Sequence, residues 1–328
     1  MKINSTENTL PLISIIIPVF NASAYLNRCL QSVIRQSYHE LEIVVVDDGS
    51  TDGSDCICDY FAAVDNRVKV FHISNGGVSN ARNFALERVT GDFVSFVDSD
   101  DYISLNLIKV LYNILIETNA SISTCHSVDF TGECCDYFEE SIRSTTIINP
   151  CDYNYCEKYA HTIVWGALFE KNTIQGLRFS TDLKVGEDTL FFAQAVLNAN
   201  LIVDVDASLY YYNVRSDSLC HIPYNDDCFT EVIARDRIIN LFFSNSKKSL
   251  LSCYGSRSLV ALKGLKRNYL DHGWHNSLNV LLIKYIRKEI MKTMKSPISW
   301  QSKRTLVAAC IAPRLFLIIF ARTKGTIL

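Results

Sequence analysis

The amino-acid sequence predicts an α/β fold: a mainly parallel sheet flanked by helices, followed by a C-terminal helical appendage. Two features predict it. Through the first half of the chain, short β-branched runs alternate with amphipathic stretches, the pattern of a parallel sheet covered on both faces. Beyond Arg215 the apolar spacing becomes mostly helical. A chain of 328 residues has room for one large domain and a smaller one. We expect an α/β domain over 1–215, with halves at about 12–102 and 103–215, and a helical region over 216–328.

In chain order, the runs Ile13 to Ile17, Glu42 to Val46, Val68 to His72 and Phe93 to Val97 read as strands. Between and after them, Ala22 to Arg35, Gly53 to Ala63, Val78 to Val89 and Leu105 to Glu117 read as helices. Each strand then ends in a turn at the edge where open α/β sheets collect ligands. From Ser121 to about Asn154 the pattern weakens into polar, cysteine-dotted sequence, expected to be an insertion or loop region. Further signals follow over Val164 to Tyr212. Helices are then expected at Phe229 to Phe243, Ser256 to Tyr269 and Leu278 to Met294.

The formal charge of −3 gives no global reason to expect nucleic acid, a partner that normally demands a basic face. Twelve cysteines scatter without paired knuckles or nearby histidines, which points to reduced thiols and against structural zinc. Residues 1–12 carry no apolar stretch of signal-peptide length, so a cytoplasmic chain is expected. No apolar run is long enough to span a membrane.

Five strings carry candidate chemistry. Pro18-Val19-Phe20-Asn21 ends the first strand, and Asp47-Asp48-Gly49-Ser50-Thr51-Asp52 ends the second. A carboxylate there can accept from the imide N–H of a uracil ring; the alternative is a plain helix cap. Asn75 to Asn83 is a glycine-containing turn opening a helix, with Arg82 in its first turns, suited to a diphosphate or ribose edge. Asp98-Ser99-Asp100-Asp101 follows an apolar strand. Carboxylates crowded there call for a neutralising cation, and hard oxygens beside a diphosphate favour Mg²⁺ or Mn²⁺. Finally, Gly186-Glu187-Asp188 opens an apolar helix, where acids also complement the helix dipole.

In this order the strings SIIIPVFNASAYLNRCL, VVVDDGSTDGS, NGGVSNARN and GDFVSFVDSDDY, then WGALFEK, RFSTDLKVGEDTLFF and LYYYNVRSDSL, resemble the family 2 inverting glycosyltransferases. The resemblance implies a GT-A fold with a Rossmann-like sheet and a UDP-sugar donor. It implies that Pro18, Phe20 and Asp48 line a uracil pocket and that Arg82 lies near the nucleotide. Asp98 and Asp100 match the D-x-D motif, Asp98 near ribose or metal and Asp100 as a ligand of Mn²⁺ or Mg²⁺. Asp188 matches the catalytic base, with Glu187 and Trp165 on the acceptor side. A further metal or phosphate contact stays unassigned among Tyr212, Asn213, Arg215 and His221.

The implied reaction moves a hexose or N-acetylhexosamine to a hydroxyl of a lipid-diphosphate-linked saccharide, in O-antigen or capsular polysaccharide assembly. The alternative is a non-catalytic nucleotide-sugar-binding partner of an assembly complex. An oxidoreductase is disfavoured because the first turn lacks the glycine fingerprint for a pyrophosphate. A nucleotidyltransferase would want a glycine- and arginine-rich first loop. Lys303 to Lys324 combine apolar runs with basic side chains and are interrupted by Pro313, so this tail is expected to lie on the inner face of the cell membrane rather than cross it; packing on the domain is the other possibility.

Overall fold

A computed structural model describes residues 10–131, 141–154, 162–215, 223–243 and 247–320. The chain divides into two compact units. The first comprises Met1–Thr146, Trp165–Gly176 and Val203–Asn213, the second Ile147–Val164, Leu177–Ile202 and Val214–Leu328. Residues 177–202 thus belong with the C-terminal helices, whereas the sequence pattern groups them with 103–215.

The first unit begins with β1 (Ile13–Val19), α1 (Ser23–Ile34), β2 (Leu41–Asp47), α2 (Ser54–Val64), β3 (Val68–His72), α3 (Val78–Leu86) and β4 (Phe93–Phe96). β1 and β2 are buried at all seven positions, as expected of parallel strands covered on both faces. The chain continues with β5 (Tyr102–Ile103), α4 (Leu107–Thr118), β6 (Ile122–Phe130), β7 (Thr145–Ile148), β8 (Ala167–Glu170) and α5 (Lys171–Ile174). After α6 (Glu187–Asn198) of the second unit comes the long β9 (Ile202–Asn213). The sheet order is β3-β2-β1-β4-β8-β6-β9-β5, with β7 paired to β9. β3, β2, β1 and β4 are mutually parallel, while β8 runs antiparallel to both β4 and β6.

β1 is followed by β2 on one side and flanked by β4 on the other, so the strand order reverses between β1 and β4. Crevices at such reversals, at the carboxyl ends of the strands, take the ligand in open α/β sheets. The turns carrying Phe20 and Asp98 flank this point.

A buried, hydrogen-bonded carboxylate fixes the opposite end of these strands. Glu42, 3% exposed, accepts from Ser14 Oγ at 2.7 Å, Thr90 N at 2.8 Å and Lys69 Nζ at 2.6 Å. Burial acts to raise its pKa, but these bonds outweigh it and hold the carboxyl at about 2.

Two expectations are corrected. The stretch expected as loop over 121–154 contains β6 and β7. Its polar residues bond across the sheet, with Thr124 Oγ1 donating to Asp204 at 2.6 Å, which is why hydrophobic patterning does not reveal the strand. The helix expected over Leu278 to Met294 is two helices, α9 (Ser277–Arg287) and α10 (Ile290–Met294), broken where Glu289 adopts a left-handed φ of 58°.

The remaining helices of the second unit are α7 (Asp226–Phe242), α8 (Lys247–His272), α11 (Trp300–Ile311) and α12 (Pro313–Phe320). Together with α9 they bury a shared cluster that includes Val232, Leu265, Leu282 and Leu306. Pro313 separates α11 from α12, as its missing N–H and fixed φ predict.

Candidate active site

At the β1 end, Pro18 lies within the strand opposite Val46, and Phe20 is 52% exposed just beyond it. Asn21 has a left-handed φ of 48°. Its N–H donates to Ser50 Oγ at 3.0 Å, and its Oδ1 accepts from Thr51 N at 2.9 Å. Ala22 N and Ser23 N donate to Ser54 Oγ and Asp52 Oδ2. The two first turns therefore brace each other through side chains chosen for capping.

Asp47 accepts from Ser50 N at 3.0 Å, and its Oδ2 lies 2.8 Å from His72 Nδ1. Burial would raise Asp47, but the bonds from His72 and Ser50 hold it below its ordinary value. The Asp47 bond and then that of Asp59 raise His72 in turn.

Asp48 is 2% exposed, and its oxygens accept from Gly76 N at 2.8 Å and Gly77 N at 2.7 Å. The residue placed in the uracil pocket by resemblance is thus also the clasp of the turn before α3. Gly77, with φ +87°, supplies the left-handed backbone this turn requires.

That turn delivers Arg82, 4% exposed, whose Nη2 donates to Asp98 Oδ1 at 2.7 Å. The three acids after β4 then separate into two kinds. Asp98 and Asp100 are part-exposed. Asp101 is 1% exposed, accepting from Tyr210 Oη at 2.7 Å and Asn213 N at 2.8 Å. Burial, and then the charges of Asp98 and Asp100, push the Asp101 carboxyl well above the usual carboxylate range.

Tyr210 is fully buried, keeps its proton, and also accepts from Asp98 N at 3.1 Å. Trp165 stacks on Tyr210 with ring centroids 4.5 Å apart and on Tyr212 at 5.6 Å. It also bridges to Phe96 at the end of β4. Arg28 donates to the Asp100 carbonyl at 3.5 Å and lies over the Tyr102 ring at 5.0 Å. Arg28 and Tyr210 escape prediction, and Asp101 reads in sequence only as one of three crowded acids, because their roles depend on contacts far apart in sequence.

Glu187 and Asp188 open α6 in the second unit. Gly186 caps the helix with φ +90°, and a Cβ there would meet Ala234 Cβ at 2.9 Å and Glu231 Cα at 3.2 Å, so glycine is required for both conformation and packing. Lys184 N and Val185 N donate to Thr230 Oγ1 at 3.2 and 2.9 Å. Arg237 pairs with Asp182, and Phe179 stacks on Phe191 at 4.1 Å. The approach to α6 is thus clamped on α7. Asp188 is half-buried, its Oδ1 accepting from Thr189 N, while Glu187 is 8% exposed.

Of the unassigned candidates, Asn213 gives its backbone N–H to Asp101, Tyr212 stacks on Trp165, and Arg215 is half-buried. His221 lies outside the described residues. Among the described residues no three His, Cys, Asp or Glu side chains form a group able to hold a metal ion by themselves. Mg²⁺ and Mn²⁺ beside a nucleotide are usually held by one or two carboxylates and the substrate phosphates. The part-exposed oxygens of Asp98 and Asp100 fit that arrangement.

The family model described as Glycosyl transferase family 2 matches residues 14–176. Glycosyltransferase GlyA of Streptococcus pneumoniae is 34% identical over 222 residues, covering 64% of this chain but 32% of GlyA, so the chain spans about a third of that relative. Glycosyltransferase GlyG of the same species is 31% identical over 228 residues, covering 65% of this chain and 74% of GlyG. Among solved structures, Staphylococcus aureus TarS 1–349 in complex with UDP-GlcNAc has a TM-score of 0.66 at 22% identity, covering 91% of this chain and 87% of that one. Mannosyltransferase PcManGT from Pyrobaculum calidifontis, in complex with GDP-Man and Mn²⁺, has a TM-score of 0.56 at 16% identity, covering 94% and 88%. These two likenesses concern the fold, a GT-A-like mixed sheet with helices.

Proposed function

The chain belongs to glycosyltransferase family 2, and we propose that it moves a hexose or N-acetylhexosamine from a UDP-sugar to a hydroxyl of a lipid-diphosphate-linked saccharide, inverting the anomeric carbon. The observation that carries this reading is the Arg82–Asp98 pair beside part-exposed Asp100, at the strand-order reversal where the fold collects a nucleotide. The complex of TarS with UDP-GlcNAc supports uracil as the base. Assembly of a bacterial surface polysaccharide, such as O-antigen or capsule, at the inner face of the cell membrane is the setting that this substrate pair implies.

In this reading Phe20, Pro18 and the Asp48-clasped turn receive the base, and Arg82 fixes Asp98 toward the ribose. Asp98 and Asp100 would hold Mg²⁺ or Mn²⁺, which supplies Lewis-acid neutralisation of the departing diphosphate; the Mn²⁺ in PcManGT supports this assignment. Asp188 takes the proton of the acceptor hydroxyl as its oxygen bonds to the anomeric carbon and the bond to the diphosphate breaks. Glu187 and Trp165 serve the acceptor side. Asp188 acts as a base alone, so no covalent sugar–enzyme intermediate forms.

Proton NMR of the product tests the stereochemistry. An α-linked UDP-sugar should yield a β-linked product, and retention of the α-configuration would overturn the assignment of Asp188 as a base.

A further inference from the structure

Helices α11 and α12 each bury one face and present a second apolar face outward. Leu306 and Ala309 of α11, with Phe316 and Leu317 of α12, join the buried cluster of the second unit. On another stripe of α11, Trp300, Arg304, Val307 and Ile311 recur at helical spacing, with Trp300 74% and Ile311 77% exposed. On α12, Leu315, Ile318 and Ile319 are each more than half exposed. A helix that is apolar on both sides calls for two partners, and the core supplies one of them. Beside this face lies a cleft of about 490 Å³ lined by Trp274, Ala312, Pro313, Arg314, Leu315 and Ile318.

The charge around the face identifies the other partner. Residues 277–320 carry eight lysines and arginines and one acid, Glu289, in a chain whose net charge is −3. Arg304 lies within the α11 stripe, and Arg314 lines the cleft. On α9, Val280 is 70% exposed, with Lys284 and Arg287 following at i+4 and i+7. Arg287 donates from Nε and Nη2 to the Cys310 carbonyl at 3.0 and 2.7 Å, tying this stripe to the end of α11 beside Ile311. An apolar surface bordered by cations complements anionic lipid headgroups above an acyl boundary. No helix among the described residues is long and apolar enough to cross a membrane, so the contact is at the surface.

We propose that the outward faces of α9, α11 and α12 seat the chain on a bilayer containing anionic phospholipid. Ile311, Leu315 and Ile318 enter the headgroup boundary, while Lys284, Arg304 and Arg314 meet lipid phosphates. This deepens the proposed function by naming the partner surface, and rests on that reading for its place in the cell. The contact begins at α9 rather than at residue 303; Arg322 and Lys324 of the expected tail lie outside the described residues.

Flotation of the full chain with phosphatidylglycerol–phosphatidylcholine vesicles, against phosphatidylcholine alone, tests it. The chain should float with the anionic vesicles and lose binding as salt rises. Leu315→Ser/Ile318→Ser and Arg304→Gln/Arg314→Gln, all at exposed positions, should each lower partition about tenfold or more, with the circular dichroism spectrum unchanged. Failure to float, equal binding to neutral vesicles, or unchanged binding by both variants overturns the proposal. So does a dimer that the Leu315→Ser/Ile318→Ser variant dissociates without any vesicle binding, which would assign the face to a second copy. Vesicle binding needs neither donor nor acceptor, so its failure leaves sugar transfer standing, and an inactive chain that binds vesicles contradicts only the transfer reading.

Discussion

Arg82 Nη2 donates to Asp98 Oδ1 across 2.7 Å, joining the turn before α3 to the first acid after β4. The arginine side chain is 5% exposed and the aspartate 26%, so a buried cation holds a carboxylate at the edge of solvent. The pair links two strings that sequence alone presents as separate nucleotide contacts.

Arg82→Lys should keep the charge but lose the planar fork that positions Asp98. We expect kcat/KM for the donor to fall about 100-fold, or nearly 3 kcal/mol, with the fold retained. Steady-state kinetics at varied donor concentration, alongside thermal unfolding, measure this. Full activity would remove Arg82 from the site.

Asp48→Asn should weaken two charge-assisted bonds to Gly76 and Gly77 at once. The expected cost is about 1.5–3 kcal/mol of stability together with a raised KM for the donor. A stability loss without any change in KM would confine Asp48 to clasping the turn.

Much of the first unit was legible in the sequence because its strands are β-branched runs buried on both faces and its turns carry polar caps. The same locality makes the strings around Asp48, Arg82 and Asp98 readable as ligand turns. What local pattern could not give is pairing over distance. Asp101 meets Tyr210 across 109 residues, which turns one of three apparently equivalent acids into an internal one. The polar strand β6 hides for a related reason: its Thr124 is satisfied by Asp204, 80 residues on. The break at Glu289 carries no Gly or Pro signal, since it rests on one left-handed non-glycine residue.

Tyr210→Phe removes the hydroxyl that serves both Asp98 N and Asp101. Leaving these buried groups without it should cost about 1–3 kcal/mol and lower kcat through displacement of the acidic turn. Urea unfolding and initial rates report the two effects separately.

Glu42 gives stability a defined pH dependence. Its folded pKa, about 2, lies below the ordinary value of about 4.3 for glutamate. Its contribution is therefore complete above about pH 4.3 and lost as pH falls toward 2. Glu42→Gln should lower stability at pH 7 and flatten the slope between those values. Urea midpoints compared across this range measure it, and parallel curves for the two proteins would contradict it.

Release of UDP from a panel of UDP-sugars with Mn²⁺ or Mg²⁺, with and without a lipid-diphosphate saccharide, compares the natural chain with Asp100→Ala and Asp188→Ala. Acceptor-stimulated release from one donor, lost by a factor of about 1,000 or more in both variants, is the predicted result. Donor binding without turnover in the natural chain, or turnover that survives both substitutions, would contradict it.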